Sequence, residues 1–288
     1  MTNSSLGILF GLIALLTNGF AGALAKVPVK ALGVNKLIFY RTVFNSSLLL
    51  IVLLFTLSQS NFSLKYVLIT VAVAIFGYLP MFFFYKAMAL GKVGVISPVA
   101  SANSIVAVLL SIIFLNESLN GLQYISILFI IFGVILISTN FKEFERSSLF
   151  KVSSGIPYAL LAALGWGIWS VLVKAPTQVL GPFFTSFIIE TVGLVMAFLL
   201  IRGSKEGVKI KDKSILLTVI PISIFMVIWS LAYYQGIRIS NVSILVPLSS
   251  ASPLIVALYG KFKYKEVLST QQYVGIGVIL LSVIMLSM

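Results

Sequence analysis

Long apolar stretches alternate with brief polar ones along the whole chain. About 20 mostly apolar residues are needed for a helix to cross the hydrocarbon core of a bilayer. On that rule spans are predicted near 6–25, 35–57, 66–89, 93–115, 122–139, 155–174, 182–201, 214–236, 241–260 and 271–287. The links between them are short and carry turn residues: Gly33-Val34-Asn35, Asn116 to Gly121, Gly181-Pro182. The longest polar stretches are 140–153 and 202–213. Long apolar runs such as Leu48–Leu57 and Ile125–Ile137 exclude an outer-membrane barrel, whose short strands alternate apolar and polar residues. Met1–Ser5 carries no basic residue and the apolar stretch runs on to about Leu24, so the first segment reads as a span, not a signal peptide. The expected fold class is an all-α integral membrane protein of ten transmembrane helices.

The pattern also repeats. A shift of 148 lays Gly7, Ala14, Gly19, Lys26, Pro28 and Gly33 on Gly155, Ala162, Gly167, Lys174, Pro176 and Gly181. A shift of 149 lays Tyr85, Pro98, Ser101, Glu117, Gln123 and Tyr124 on Tyr234, Pro247, Ser250, Glu266, Gln272 and Tyr273. Composition explains coincident Leu or Ala; it does not explain coincident Lys, Pro, Glu, Gln and Tyr. The chain therefore divides into a first five-helix repeat at 1–141, a polar connecting loop at 142–153 and a second repeat at 154–288. An odd number of spans per copy turns the second copy upside down.

Charge agrees with inversion. Fifteen of the 20 basic residues fall on the side opposite the termini, and only Lys65, Lys174 and Arg238 on the terminal side; Arg41 and Lys86 lie within spans. The basic links follow spans one and three in the first copy and spans two and four in the second. Basic links stay cytoplasmic, so both termini are expected outside an inner or plasma membrane.

Composition narrows the chemistry. Only 9% of the residues are charged, against roughly 25% in a soluble domain. There is no Cys and no His, which excludes disulfides, thiol nucleophiles, the usual zinc and haem ligands and His-based acid–base catalysis. The seven acids do not cluster, and there is no phosphate-binding P-loop. No cofactor, no metal and no enzymatic activity are expected. The net charge of +13 reads as contact with anionic lipid headgroups, not with nucleic acid. Inverted repeats are a device of secondary transporters, whose two halves rock about a central site.

Two segments carry a resemblance: Pro98 with Asn116-Glu117-Ser118-Leu119, and Pro247 with Lys265-Glu266-Val267-Leu268. Each is a Pro-containing fourth span of its copy, ending in a Glu-x-Leu turn before an apolar fifth span. With Arg41 near the start of the second span, the chain resembles the drug/metabolite transporter superfamily, EamA type, over essentially its whole length. The resemblance implies transport of amino acids, drugs, sugars or other metabolites without choosing among them. It also implies cytoplasmic termini, where the charge pattern argues the reverse; the charges are followed here.

Candidate site residues follow from what is costly or polar within spans. Glu190 is the only acid deep in one, roughly 13 Å in at 1.5 Å per residue, and is a candidate for proton coupling or for a fixed pair with Arg41. Arg41, about 10 Å in from the opposite face, with Asn45 one turn on, is a candidate for a substrate carboxylate or phosphate. Ser101, Asn103, Ser250 and Ser252 lie near Pro98, Pro247 and Pro253, where helices lose backbone donors, and suit a polar cavity. Asn18, Tyr85, Trp166, Trp169, Trp229 and Tyr234 complete the proposed substrate-binding set. Lys26-x-Pro28 and Lys174-x-Pro176 read as helix stops, and Glu117 and Glu266 as charges suited to the amino ends of the fifth and tenth spans. The resulting expectation is a carrier of small organic solutes such as amino acids, working in export. The alternatives are an organic-cation exporter and a non-transporting sensor or scaffold. Its partners are the solute and membrane lipid; one chain suffices to enclose a site, and a dimer is compatible with that.

Overall fold

A computed structural model describes residues 3–91, 93–139, 155–203, 207–210 and 213–288. The connecting loop expected at 142–153 lies outside the described residues. Among the described residues every regular element is a helix, and ten are long and apolar enough to cross a membrane. They are Ser5–Leu24, Val34–Thr56, Leu64–Leu90, Val95–Leu115, Gly121–Ser138, Ile156–Leu180, Pro182–Gly203, Leu216–Ile239, Val242–Tyr264 and Thr270–Ser287, numbered here as the first to the tenth span. With ten alternating spans both termini lie at one end, called the terminal end; the other is called the basic end. Large apolar side chains such as Leu54, Phe55, Leu128 and Ile284 point outward, as a lipid-facing surface requires. Some hydroxyls within spans are satisfied locally: Thr42, Ser126 and Ser282 each donate to a carbonyl one turn back.

The helices of the first and sixth spans end at Leu24 and Leu172, each four residues before Pro28 or Pro176, whose missing N–H leaves that carbonyl without its helical partner. The chain then turns into a seven-residue helix, Lys26–Leu32 or Lys174–Leu180, with the Pro in its first turn, where no N–H is needed. These short helices end at Gly33 and Gly181, with φ of 76° and 85°, positions where a side chain would be strained. One correction to the sequence reading concerns Glu117 and Glu266. The fifth and tenth spans are capped by Asn120 with Gln123 and by Ser269 with Gln272, each pair a reciprocal capping box. The two glutamates cap neither helix.

The fourth and ninth spans are broken at Ala102 and at Ala251–Ser252; in the ninth, Pro253 opens the following segment, where a missing N–H is tolerated. The fifth and tenth spans cross closely at Gly133 and Gly275, where a Cβ on Gly133 would stand 2.6 Å from Ile279 Cγ1. Small residues are what allow backbones to approach this closely in a membrane. Gln271 fastens the crossing by donating to the carbonyls of Leu136 and Thr139 at 2.6 and 2.9 Å.

One core cluster joins the first, fifth, ninth and tenth spans over most of their length, from Ile8 and Leu286 near the terminal end to Ile255 and Leu268 near the basic end. Toward the terminal end a second cluster joins Val73, Ala107, Val171, Val173, Tyr234, Ile237, Val242 and Leu245, from five different spans. Toward the basic end there are two separate clusters. One holds Ala21, Leu32, Leu37, Val219 and Ile222; the other holds Ala87, Val95, Ile96, Ile156 and Ala159.

Candidate functional site: a central cavity between the repeats

Between the clusters lies a cavity of about 420 Å³ at mid-span depth. That volume falls within the roughly 300–1,000 Å³ of ordinary small-molecule sites. Both repeats contribute: Asn18, Arg41, Thr42, Gly77, Tyr78 and Asn103 from the first, and Trp166, Trp169, Glu190, Trp229, Tyr233, Ser249 and Ser250 from the second. One wall is a stack of rings. Trp169 lies over Tyr233 at 5.9 Å and 13°, and Tyr233 over Trp229 at 5.1 Å and 27°. Their polar ends are occupied. Tyr233 Oη donates to Ser170 Oγ at 3.1 Å, and Trp229 Nε1 to Ser249 Oγ at 3.0 Å. The wall is thereby fixed in place while its faces stay apolar. Gly77 makes room for it, since a Cβ there would stand 2.6 Å from the Trp169 indole.

The charges face this wall from the second and seventh spans. A shift of 149 carries Arg41-Thr42-Val43 onto Glu190-Thr191-Val192, so the two charged residues occupy equivalent positions of opposite sign. They do not form an ion pair with each other. Glu190 Oε2 instead accepts from Asn45 Nδ2 at 3.2 Å, and Asn45 is fully buried behind it. Arg41 Nε and the Tyr78 hydroxyl are buried without a hydrogen-bond partner in the chain. A fixed Arg41–Glu190 pair is therefore not what the structure contains. It holds a cation and a carboxylate that both face one space.

A second cavity, of about 280 Å³, continues from the first. It shares Asn18 and Arg41 with it and reaches Ala25, Val29 and Val34 at the basic end. It is the vestibule of the site, and Arg41 stands at the junction.

Of the sequence-proposed residues, Asn18, Arg41, Asn103, Trp166, Trp169, Glu190, Trp229 and Ser250 line the central cavity. Tyr85 lines the vestibule instead. Asn45 supports Glu190, and Ser252 accepts from Asn18 Nδ2 at 3.2 Å, so both stand one layer behind. Ser101 turns to its own helix and donates to the Ser97 carbonyl. Tyr234 is buried in the terminal-end cluster. Tyr233 and Ser249, which the sequence offers beside Trp229 and Ser250, line the cavity too. Thr42, Gly77 and Tyr78 are lining residues that sequence reasoning passed over, and nothing local marks Tyr78 or Gly77.

Both ends of the pathway carry a Lys–Glu pair that crosses between the repeats. At the terminal end Glu117 accepts from Lys174 Nζ at 2.8 Å, from the amides of Val242 and Ser243 at 2.8 and 2.9 Å, and from Ser243 Oγ at 2.7 Å. It thus caps the amino end of the ninth span, not of the fifth. Burial works against its ionised form, but these donors outweigh it and hold the carboxyl below its ordinary value. At the basic end Lys26 pairs with Glu266 and lies 4.2 Å from the Tyr264 ring centre.

Comparison with known proteins gives the class. The model of the EamA-like transporter family matches residues 5–139 and again 153–288. The chain therefore belongs to the EamA-like transporter family, is a multi-pass membrane transporter, and contains the family's unit twice. An uncharacterized transporter of Archaeoglobus fulgidus is 25% identical over 282 residues, covering 98% of both chains. An uncharacterized protein of Methanocaldococcus jannaschii is 29% identical over 136 residues, which are 47% of this chain and 98% of that protein. That relative is thus about one repeat long. A solved crystal structure shares the fold, with a TM-score of 0.79 and 19% identity, over 97% of this chain and 95% of that one.

Proposed function

We propose that this transporter moves small zwitterionic or weakly acidic organic solutes, amino acids or related metabolites, across the inner or plasma membrane by alternating access. The observation that carries the reading is the pairing of Arg41 and Glu190 on one cavity, not ion-paired to each other, beside an apolar aromatic wall. Arg41 suits a carboxylate through its fork of donors, Glu190 suits an ammonium group, and the wall suits an apolar side chain. The rival solute, a purely cationic drug, would meet Arg41 in the same cavity at a like-charge cost.

The charge of the basic-end loops supports export. Cytoplasmic basic loops put both termini outside and turn the vestibule toward the cytoplasm, which suits loading for export. Glu190 serves as the proton-coupling group, with Asn45 orienting it. One copy in contact with lipid suffices, since both repeats of one chain line the cavity, and a dimer is compatible with that. The test is flux in proteoliposomes loaded with amino acids, sugars, nucleosides and organic cations, with and without a pH gradient. Selective release of amino acids driven by the gradient, and loss of that gradient response in Glu190→Gln, is the expected result. Release of cations alone, or the same gradient response in Glu190→Gln, overturns the solute class or the coupling respectively.

A further inference from the structure

The two Lys–Glu pairs are built from matching parts. Lys26 and Lys174 each open a seven-residue helix ended by a positive-φ glycine. Asn116 and Lys265 each end a helix in the left-handed region, at φ of 52° and 55°, and the glutamate follows. The amides of Glu117 and Glu266 reach back to Ser111 and Gly260, which the shift of 149 superposes. Local structure is thus the same in both turns.

Their surroundings are not. The side chains of Lys174 and Glu117 are 13% and 4% exposed, those of Lys26 and Glu266 44% and 48%. Glu117 holds two backbone amides and Ser243 in addition to its lysine. Lys174 also donates to the Ser240 carbonyl at 3.0 Å. The loose pair lies at the end reached by the vestibule, the tight pair at the other.

We propose that Glu266 and Lys26 form the second of two alternating latches: when the cavity opens to the terminal end, Glu266 caps the amides of Val93 and Gly94 with Lys26 locked onto it, as Glu117 and Lys174 now hold Val242 and Ser243. Val93 and Gly94 are the counterparts of Val242 and Ser243 under the shift of 149. The Gly91 carbonyl is the counterpart of Ser240 and receives Lys26. Closing one end then recovers the hydrogen bonds released at the other, so neither state is left with a buried unpaired carboxylate. These four are positioning residues; none touches the solute. The proposal rests on the alternating-access reading but not on the solute class.

The experiment uses the absence of cysteine from the chain. Single reporters, Ile237→Cys in the terminal-end cluster and Val29→Cys in the vestibule, are placed in the full-length protein in sealed vesicles. An impermeant maleimide is applied from each side. Glu117→Gln is expected to raise labelling of Ile237→Cys severalfold and to lower that of Val29→Cys. Glu266→Gln is expected to do the opposite and to slow flux at least about tenfold, with partial recovery in Glu266→Asp. Because the Lys26–Glu266 pair is exposed, that variant tests the proposal even if Glu117→Gln fails to fold. Shifts in the same direction for both variants, or unchanged labelling and flux in Glu266→Gln, overturn the latch while terminal-end labelling of the parent protein keeps alternating access. No terminal-end labelling of the parent or of either variant removes alternating access and the latch together.

Discussion

The turns at Glu117 and Glu266 have the same backbone, the same sequence pattern and the same lysine partner type, yet one is buried and the other half exposed. The difference teaches that an inverted repeat fixes a part without fixing its use. Each turn meets the opposite repeat, but only at the terminal end do backbone amides and a serine of that repeat reach the glutamate. A buried pair stripped of one partner leaves an uncompensated charge, whereas an exposed pair is screened by water.

The largest effect is expected from Glu117→Ala. It removes four hydrogen bonds from an almost fully buried carboxylate and strands Lys174. A loss of about 3–5 kcal/mol is expected, read as a fall in Tm in detergent. The pH dependence has a definite sign. The carboxyl of Glu117 is depressed in the folded protein, so its contribution is present above its ordinary value of 4.5 and is lost as pH falls through the lower folded value. Acid unfolding of the parent protein should therefore steepen below about pH 4.5, and Glu117→Gln should flatten that limb.

Next in size is the contrast between the equivalent charges of the two repeats. Arg41→Met is expected to raise the KM for an amino acid by about 10–100-fold, the value of a charged hydrogen bond of roughly 1.5–3 kcal/mol. Glu190→Gln should remove the pH-gradient response of flux as well as raise the KM, whereas Arg41→Met should raise the KM and keep that response. Equal effects of both substitutions on both readouts would merge their roles and break the contrast. A smaller effect, a few-fold, is expected from Gly77→Ala, because the added Cβ pushes Trp169 toward the cavity. Flux of solutes with large apolar groups should fall more than flux of small ones. Met226, its counterpart under the shift of 149, lines only the vestibule, and Met226→Ala should leave that size preference unchanged. The smallest effect on stability is expected from Glu266→Ala, within about 1 kcal/mol of the parent, as exposed pairs contribute. Its Tm should barely move.

Much of the architecture was legible in the residues. Span number and approximate limits follow from apolar length, and the repeat follows from matched Lys, Pro, Glu, Gln and Tyr. The cavity was half legible. Arg41, Glu190 and the three tryptophans stand out because charge is costly and large amphipathic rings are rare within spans. Tyr85 and Tyr234 are repeat equivalents, yet one lines the vestibule and the other is buried in the terminal-end cluster. Identical local sequence cannot separate them, because the two ends are packed differently. The Lys-x-Pro segments were legible as helix stops, because Pro denies a donor to the carbonyl four residues back; the short helices that follow, Lys26–Leu32 and Lys174–Leu180, were not.

By itself the sequence determined a membrane-spanning helical protein of two inverted halves, because hydrophobic length, charge bias and repetition act along the chain and need no folded partner. Only the tertiary structure decided which lysine meets which glutamate, that Arg41 and Glu190 face one cavity without pairing, and that one Lys–Glu pair is buried while its twin is half exposed. Those are matters of distance and burial between residues up to 240 positions apart, and they arise only when the two halves pack.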